Sequence, residues 1–314
     1  MNILITGIEG FVGHYLVKML PDRMKHVTKI YGTYFMGTES LKNMDDINLV
    51  KLDITSRDNV FQVVNDIKPD YIIHLAAQSS VALSWKNPNL TMNVNVTGTI
   101  NLLDAIREVN KNCRVLIVGS SEQYGKIEVL PVTEEHRLDP QNPYSISKVS
   151  QEMLAQLYVK AYGMNIVMTR SFNHIGPLQE PLFVVPDWAK QISEIEKGLK
   201  DPIINVGNIN VKRDFTDVRD IINAYIMLLD KGDAGQIYNV GSGNAYELKY
   251  ILEKLLSLSP KKIEIKVDKE KLRPVENEII QCDNSKITRA CGWKIEHGLE
   301  DTLHDTLNYW RSRI

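Results

Sequence analysis

The chain has 314 residues, of which 43% are hydrophobic and 24% charged, enough to bury the core of one large domain or two interleaved ones. Its formal net charge of −2 argues against a nucleic-acid or polybasic membrane partner, because both need a basic surface. No apolar run is long enough to span a bilayer and the start of the chain shows no signal-peptide pattern, so we expect a cytoplasmic protein. Cys113, Cys282 and Cys291 have no CxxC spacing, which predicts buried thiols and no metal site.

Strand and helix patterns alternate through the first half of the chain. Short apolar runs predict buried parallel strands at residues 2–5, 29–33, 48–51, 71–74, 114–118 and 165–169. Helical patterns lie between them, near residues 11–20, 57–67, 97–110 and 144–162. This alternation predicts an α/β protein with a Rossmann-type, doubly wound parallel sheet and helices on both of its faces.

The pattern loosens after about residue 172, where prolines punctuate a loop-rich segment. Further helices are predicted near residues 187–199, 218–229, 248–257 and 299–310, and further strands near residues 203–206, 236–240 and 262–267. We expect a smaller C-terminal lobe that interleaves with the sheet. Residues 1–172 with about 212–243 would form the sheet domain, and residues 173–211 with 244–314 would form the lobe.

A G-x-x-G-x-x-G motif directly follows the first strand and opens a helix. Gly7 permits a tight turn, Gly10 lets the backbone approach a pyrophosphate, and Gly13 lets the helix sit close to the sheet. Free N–H groups at the helix start, around Phe11 and Val12, can then bind phosphates. The motif predicts a dinucleotide cofactor, NADPH or NADH, bound by the sheet domain.

The end of the second strand normally distinguishes the two cofactors, through an acid for the ribose hydroxyl or an arginine for a 2′-phosphate. Residues 34–36 read Tyr-Phe-Met and contain neither, so the choice between NADH and NADPH stays open. Asp53 and Ile54 end the third strand and either contact the adenine or, for the acid, are simply solvated.

Tyr144 and Lys148 are four residues apart, which places them on one face of a helix that Pro143 is suited to start. A nearby ammonium stabilises a phenolate and lowers the tyrosine pKa, so the pair predicts proton transfer. Ser120 follows the strand at 114–118, at the edge where doubly wound sheets bind ligands. Its hydroxyl can bond a substrate carbonyl, whereas Glu122 is either an acid/base or a solvated loop acid.

Five motifs together resemble the extended short-chain dehydrogenase/reductases: TGxxGFxG at 6–13, HLAA at 74–77, NVTGT at 95–99, SSEQYG at 120–125 and YxxxK at 144–148. The resemblance implies that Tyr144 is the proton donor or acceptor, that Lys148 also holds the nicotinamide ribose, and that Ser120 binds the reacting oxygen. It further implies cofactor contacts at Leu75, Ala76, Ala77 and Asn95.

Motifs in the second half resemble the branch that acts on GDP-mannose derivatives, and within it the GDP-6-deoxy-D-mannose reductases: RSFNHIGP at 170–177, VGN at 206–208, RDFTDV at 213–218, LRP at 272–274 and GWK at 292–294. The lobe would therefore be a nucleotide-sugar substrate domain. The implied GDP contacts are Asn173, Val184, Lys190, Arg213, Arg273 and Glu276. The implied sugar pocket comprises Ser80, Val81, Trp85, Ser120, Ser121 and Glu122, although Trp85 can equally be packing.

The implied reaction reduces the C4 ketone of GDP-4-keto-6-deoxy-D-mannose to GDP-D-rhamnose with NADPH or NADH. One alternative is a GDP-mannose 4,6-dehydratase, a lyase that also needs a carboxylate at the position of Glu122. Three features favour the reductase: a serine at 120 where dehydratases typically have threonine, no arginine near Tyr34 to clamp a 2′-phosphate, and a short segment at 34–47. The other alternative, a non-catalytic dinucleotide sensor, is disfavoured because Ser120, Tyr144, Lys148 and Asn95 are all present.

The resemblance also implies a homodimer formed through a four-helix bundle. The candidate helices are those near residues 97–110 and 144–162. Apolar residues of the second helix, at 153, 154, 157, 158, 161 and 162, would face either the partner or the core.

Overall fold

The computed structural model describes residues 1–37, 47–271 and 277–314. Twelve strands form within these ranges: β1 (Asn2–Thr6), β2 (Lys29–Tyr34), β3 (Asn48–Lys51), β4 (Tyr71–His74), β5 (Arg114–Ser120), β6 (Ile166–Ser171), β7 (Asn173–Ile175), β8 (Ile203–Val206), β9 (Lys212–Asp217), β10 (Ile237–Val240), β11 (Ala245–Glu247) and β12 (Glu264–Val267).

Eleven α-helices lie in the same described ranges: α1 (Phe11–Arg23), α2 (Arg57–Ile67), α3 (Val81–Lys86), α4 (Pro88–Met92), α5 (Gly98–Asn110), α6 (Pro143–Tyr162), α7 (Val184–Glu196), α8 (Val218–Lys231), α9 (Leu248–Ser257), α10 (Ser285–Cys291) and α11 (Leu299–Arg313). A π-helical turn, Asn93–Thr97, runs directly into α5. None of these helices combines the length and apolar character that a membrane span requires.

Seven strands form one parallel sheet in the order β10-β6-β5-β4-β1-β2-β3. The strand order reverses between β1 and β4, and the crevice outside the carboxyl ends of such strands is where this fold binds ligands. Apolar side chains of α1 and α8 pack on one face of the sheet, and those of α2, α5 and α6 pack on the other. The predicted doubly wound α/β sheet is confirmed.

The start of α6 is fixed by local sequence, and this helix carries Tyr144 and Lys148. Asn142 accepts a hydrogen bond from the Ser145 backbone N–H at 2.8 Å, and its own N–H donates to Ser145 Oγ at 3.1 Å. These reciprocal bonds satisfy N–H groups that a helix start otherwise leaves unpaired. Pro143 occupies the first turn, where its missing N–H costs nothing, so the predicted helix start is confirmed.

The second half contains a three-stranded sheet, β11-β9-β7, and a two-stranded sheet, β12-β8. A separate apolar core lies here, built from α7, α9 and α11 and including Trp188, Ile251 and Leu307. The prediction missed the three-residue strands β7 and β11, the six-residue strand β9 and the helices α3, α4 and α10. Strand β10 joins the main sheet beside β6, whereas β9 pairs with β7 and β11. The domain division at residues 172, 212 and 243 stays a prediction.

The three cysteines are buried and unpaired, as predicted. Burial raises the pKa of each thiol, so all three are protonated near neutral pH.

Candidate active site

A cleft of about 1520 Å³ opens between the main sheet and the second lobe, which comprises the two smaller sheets with α7, α9 and α11. It brings together most of the predicted site residues: Gly7, Gly10, Phe11, Val12, Gly13, Asp53, Ile54, Leu75, Ala76, Ala77, Ser80, Val81, Ser120, Ser121, Glu122, Tyr144, Lys148, Asn173, Val184 and Arg213. The cleft is therefore the candidate active site.

The glycine loop fits a dinucleotide pyrophosphate. Gly7 has a φ of +74°, and a Cβ placed there would lie 2.9 Å from the Cα and N atoms of Ala76. A Cβ on Gly13 would lie 2.5 Å from the backbone of Ile8, so the loop closes only around glycine. No side chain caps the first turn of α1, and its backbone N–H groups can bind a phosphate.

A carboxylate that the sequence analysis did not consider lies at the carboxyl end of β2. Glu9, inside the glycine motif, lines the cleft, and its Oε2 accepts a hydrogen bond from the Phe35 backbone N–H at 2.9 Å. Asp53 also lines the cleft, where its Oδ1 accepts bonds from the N–H and hydroxyl of Thr55 at 2.9 and 2.7 Å. This end of the cleft therefore carries two acids.

Ser120 ends β5 and is held in place by the short 3₁₀ turn that follows it, Ser121–Tyr124. Its backbone N–H donates to Gln123 Oε1 at 2.9 Å, and its Oγ accepts from the Glu122 N–H at 3.2 Å. Tyr144 reaches the same point from α6. Burial raises the pKa of Tyr144 to about 12, a hydrogen bond with Ser120 lowers it in part, and the charge of Glu122 raises it. The phenol is therefore protonated near neutral pH.

Lys148 is buried one turn further along α6. Its Nζ donates to the Val118 carbonyl at 2.8 Å and to Gln151 Oε1 at 3.0 Å, and burial lowers its pKa to about 8. The sequence predicts that Lys148 lowers the pKa of Tyr144, but burial raises that pKa instead. The reason is that the ammonium bonds β5 and its own helix, so burial and the nearby carboxylate decide the phenol's pKa.

Glu122 faces the cleft from the turn after Ser120. Its Oε2 accepts a hydrogen bond from Asn142 Nδ2 at 3.2 Å, which ties it to the residue that caps α6. The carboxylate is thus fixed beside Tyr144 rather than freely solvated, and its proximity raises the pKa of that tyrosine.

A buried polar network lies behind this turn and was not predicted. Gln123 Nε2 donates to Glu152 Oε2 at 2.9 Å, and Glu152 forms a bidentate ion pair with Arg170 at 2.7 and 2.8 Å. Since Gln123 also accepts the Ser120 N–H, the ion pair between α6 and β6 anchors the Ser120 turn.

Three predicted contacts lie away from the cleft lining. Asn95 is buried behind it, accepting from the Gln78 N–H at 2.8 Å and donating to Ser147 Oγ at 2.9 Å, so it ties the loop after β4 to α6. Trp85 is 64% exposed on α3. Lys190 lies 3.9 Å from Glu194 and 5.7 Å from the Trp310 ring, because its position on α7 directs it towards α11.

The predicted GDP contacts Arg273 and Glu276 lie outside the described residues. Arg213 lines the cleft and donates to the Asn277 carbonyl at 2.8 Å. Asn173 and Val184 line the same side, at the start of β7 and of α7.

Comparisons with known proteins agree with this geometry. The chain is 31% identical to GDP-6-deoxy-D-mannose reductase of Pseudomonas aeruginosa, over 100% of this chain and 98% of that protein. It is 26% identical to GDP-mannose 4,6 dehydratase of Dictyostelium discoideum, over 93% of this chain and 91% of that protein. The solved structure of RMD from Pseudomonas aeruginosa complexed with NADPH superposes with a TM-score of 0.84 and 30% identity, covering 100% of this chain and 99% of that one.

A model of the GDP-mannose 4,6 dehydratase family matches residues 4–306, nearly the whole chain. This match spans both the glycine loop and the second lobe, so it covers every element that lines the cleft. The chain therefore belongs to the GDP-mannose 4,6 dehydratase family of extended short-chain dehydrogenase/reductases.

Proposed function

We propose that this protein is a reductase that converts GDP-4-keto-6-deoxy-D-mannose to GDP-D-rhamnose with a nicotinamide dinucleotide. The observation that carries the proposal is the placement of the buried Tyr144 phenol beside Ser120 in the cleft, with Lys148 one turn further along α6. A ketone reduction needs a proton donor at the nascent alkoxide, and a phenol whose pKa is about 12 is in the donating form at neutral pH. The similarity to the Pseudomonas reductase over the full chain supports the same reaction.

The side chains divide the proton chemistry between them. The glycine loop would hold a nicotinamide dinucleotide, which would supply the hydride for sugar C4. Tyr144 donates its proton to O4, and the Ser120 hydroxyl orients that oxygen by a hydrogen bond. Lys148, protonated below pH about 8, binds the ribose hydroxyls of the dinucleotide. Catalysis of this kind depends on placement of the reactants and on one proton transfer.

The second lobe binds the GDP moiety in this proposal. Arg213 is the pyrophosphate clamp, because a guanidinium is planar, always charged and able to bond two oxygens at once. It lines the cleft together with Asn173 and Val184, so these residues can contact the nucleotide once the sugar lies at Tyr144. Ser80, Val81 and Ser121 line the sugar end.

A second candidate function is GDP-mannose 4,6-dehydratase activity, and one observation favours it. The carboxylate of Glu122 is held in the cleft by Asn142, beside Tyr144, where an acid that eliminates water from the sugar would have to lie. Replacement of Glu122 by Gln separates the two functions. A reductase should keep most of its rate, whereas a dehydratase should lose about 10²-fold to 10⁴-fold because an acid/base group is gone.

The reductase is tested directly by absorbance at the nicotinamide band, with purified protein, NADH or NADPH, and GDP-4-keto-6-deoxy-D-mannose. Tyr144→Phe should lower the rate about 10²-fold to 10⁴-fold and leave dinucleotide binding intact. Tyr158→Phe is the matched control, since Tyr158 lies on the same helix and donates to Asp104 at 2.7 Å, outside the cleft. An unchanged rate in Tyr144→Phe would contradict the role of Tyr144 as proton donor, whereas dinucleotide binding without any turnover in the wild-type protein would favour a non-catalytic sensor.

We also propose a homodimer through α5 and α6. On α6, Ile146, Met153 and Leu157 are 45%, 61% and 56% exposed at helical spacing, an apolar stripe that a partner helix can cover. Tyr158, from the same predicted stripe, is instead buried against α5. Light scattering tests the dimer, and Leu157→Glu should shift it to monomer.

A further inference from the structure

The carboxyl end of β2 holds a carboxylate that comes from another part of the chain. In folds of this type an acid at this strand end bonds the ribose hydroxyls of the adenosine, and an arginine there accommodates a 2′-phosphate. Residues 34–36 supply neither. Glu9 reaches across from the glycine loop, and its Oε2 accepts from the Phe35 N–H at 2.9 Å.

The surroundings of Glu9 favour a bound hydroxyl over a bound phosphate. The carboxylate occupies the backbone donors of Phe35 and Met36, which a 2′-phosphate would otherwise use. A carboxylate has about four lone-pair sites, so acceptor capacity remains for ribose hydroxyls. These two backbone donors also favour the ionised form, against the effect of burial, which raises the pKa of Glu9.

No described residue that lines this end of the cleft offers a compensating cation. Among the cleft-lining residues of the described ranges, the lysines and arginines are Lys148, Arg213 and Lys271. Lys148 lies at the catalytic end on α6, and Arg213 and Lys271 lie in the second lobe. Among the described lining residues, none at this end would neutralise a 2′-phosphate, whose charge of about −1.5 to −2 would face the carboxylate of Glu9.

We propose that Glu9 makes this protein prefer NADH over NADPH, because its carboxylate accepts the hydroxyls of the adenosine ribose and repels a 2′-phosphate. The inference rests on the proposed function, since it takes the cleft to bind a nicotinamide dinucleotide. It would set this chain apart from the similar solved structure, which is complexed with NADPH.

Direct binding of NADH and NADPH, measured by titration calorimetry without a sugar nucleotide, tests the proposal independently of turnover. Wild-type protein should bind NADH at least about tenfold more tightly, a difference of about 1.4 kcal/mol. Glu9→Gln keeps an acceptor for the Phe35 N–H but removes the charge. NADPH should therefore bind more tightly, until the ratio of the two dissociation constants is about threefold or less. Asp58→Asn, which neutralises an exposed acid at the start of α2, should leave the ratio unchanged.

The outcomes are distinct. If Glu9 only ties the loop to β2, the ratio in Glu9→Gln stays at the wild-type value, and the proposal is overturned. Wild-type protein that binds NADPH as tightly as NADH also overturns it, while the reductase proposal stands. Binding of neither dinucleotide overturns both. An NADH preference in a protein that fails to reduce the ketosugar supports Glu9 and contradicts the reductase alone.

Discussion

Removal of the Glu152 carboxylate should destabilise the protein and disturb the Ser120 turn. Glu152 and Arg170 are each 5% exposed and form a bidentate pair, so Glu152→Ala leaves a buried guanidinium without its counter-ion. Loss of one partner of a buried pair costs about 3–5 kcal/mol. Arg170 keeps bonds to the Tyr124 hydroxyl at 3.0 Å and the Glu134 carbonyl at 2.9 Å, so we expect the lower end of that range.

Urea denaturation followed by circular dichroism measures this cost. Glu152→Gln, which keeps the volume and one acceptor, should cost about 2 kcal/mol, near the value of a hydrogen bond to a charged group. The double variant E152M/R170M should recover part of the loss seen in Glu152→Ala, because no lone charge is then buried, although Gln123 Nε2 and the Glu134 carbonyl each lose a partner. The three variants together separate the cost of losing the carboxylate from the cost of burying a guanidinium without its counter-ion.

Glu152→Ala should also slow turnover, since Gln123 loses its hydrogen bond to Glu152 and no longer fixes the position of Ser120. A cost below about 1 kcal/mol for Glu152→Ala would refute the reasoning, because it would show that Arg170 is solvated rather than paired. A large cost with an unchanged kcat would refute only the link to Ser120.

Two further predictions concern the cofactor end of the cleft. Gly7→Ala should weaken dinucleotide binding by about tenfold or more, since its Cβ would lie 2.9 Å from the Ala76 backbone. Gly198→Ala is the control, because the φ of Gly198, +73°, matches the +74° of Gly7 and a Cβ there meets nothing within 4 Å. Equal losses of dinucleotide affinity in the two variants would show that the strained backbone conformation, and not the contact with Ala76, causes the loss. Dinucleotide affinity should also fall as the pH rises through about 8, the pKa to which burial lowers Lys148, because the ammonium that binds the ribose loses its proton. Lys148→Met should bind weakly at every pH without this decline, and a decline that persists in it would assign the titration to another group.

The sheet and the glycine loop were predictable because their signals are local. A buried parallel strand is a short apolar run, and the runs near residues 2–5, 48–51 and 71–74 fall on β1, β3 and β4. Three-residue strands such as β7 and β11 carry no such run. Their pairing depends on which distant segment lies beside them, so the sequence pattern contained no signal for them.

The site was predictable as a set of residues but not in its internal geometry. The spacing of Tyr144 and Lys148 places them on one face of α6, yet the direction of the ammonium depends on the Val118 carbonyl and Gln151. The position of Glu9 depends likewise on how the glycine loop folds back on β2. Trp85 and Lys190 are predicted from their positions in the sequence, but Trp85 is exposed on α3 and Lys190 lies over the Trp310 ring, so neither lines the cleft.

The most direct test of the proposed reduction is product analysis by NMR with two substrates in parallel. With GDP-4-keto-6-deoxy-D-mannose and NADH or NADPH, we predict GDP-D-rhamnose and one oxidised dinucleotide per sugar reduced. With GDP-mannose alone, we predict no change. Conversion of GDP-mannose to its 4-keto-6-deoxy derivative without added cofactor, and no reduction of that ketone, would contradict the proposal and establish the dehydratase.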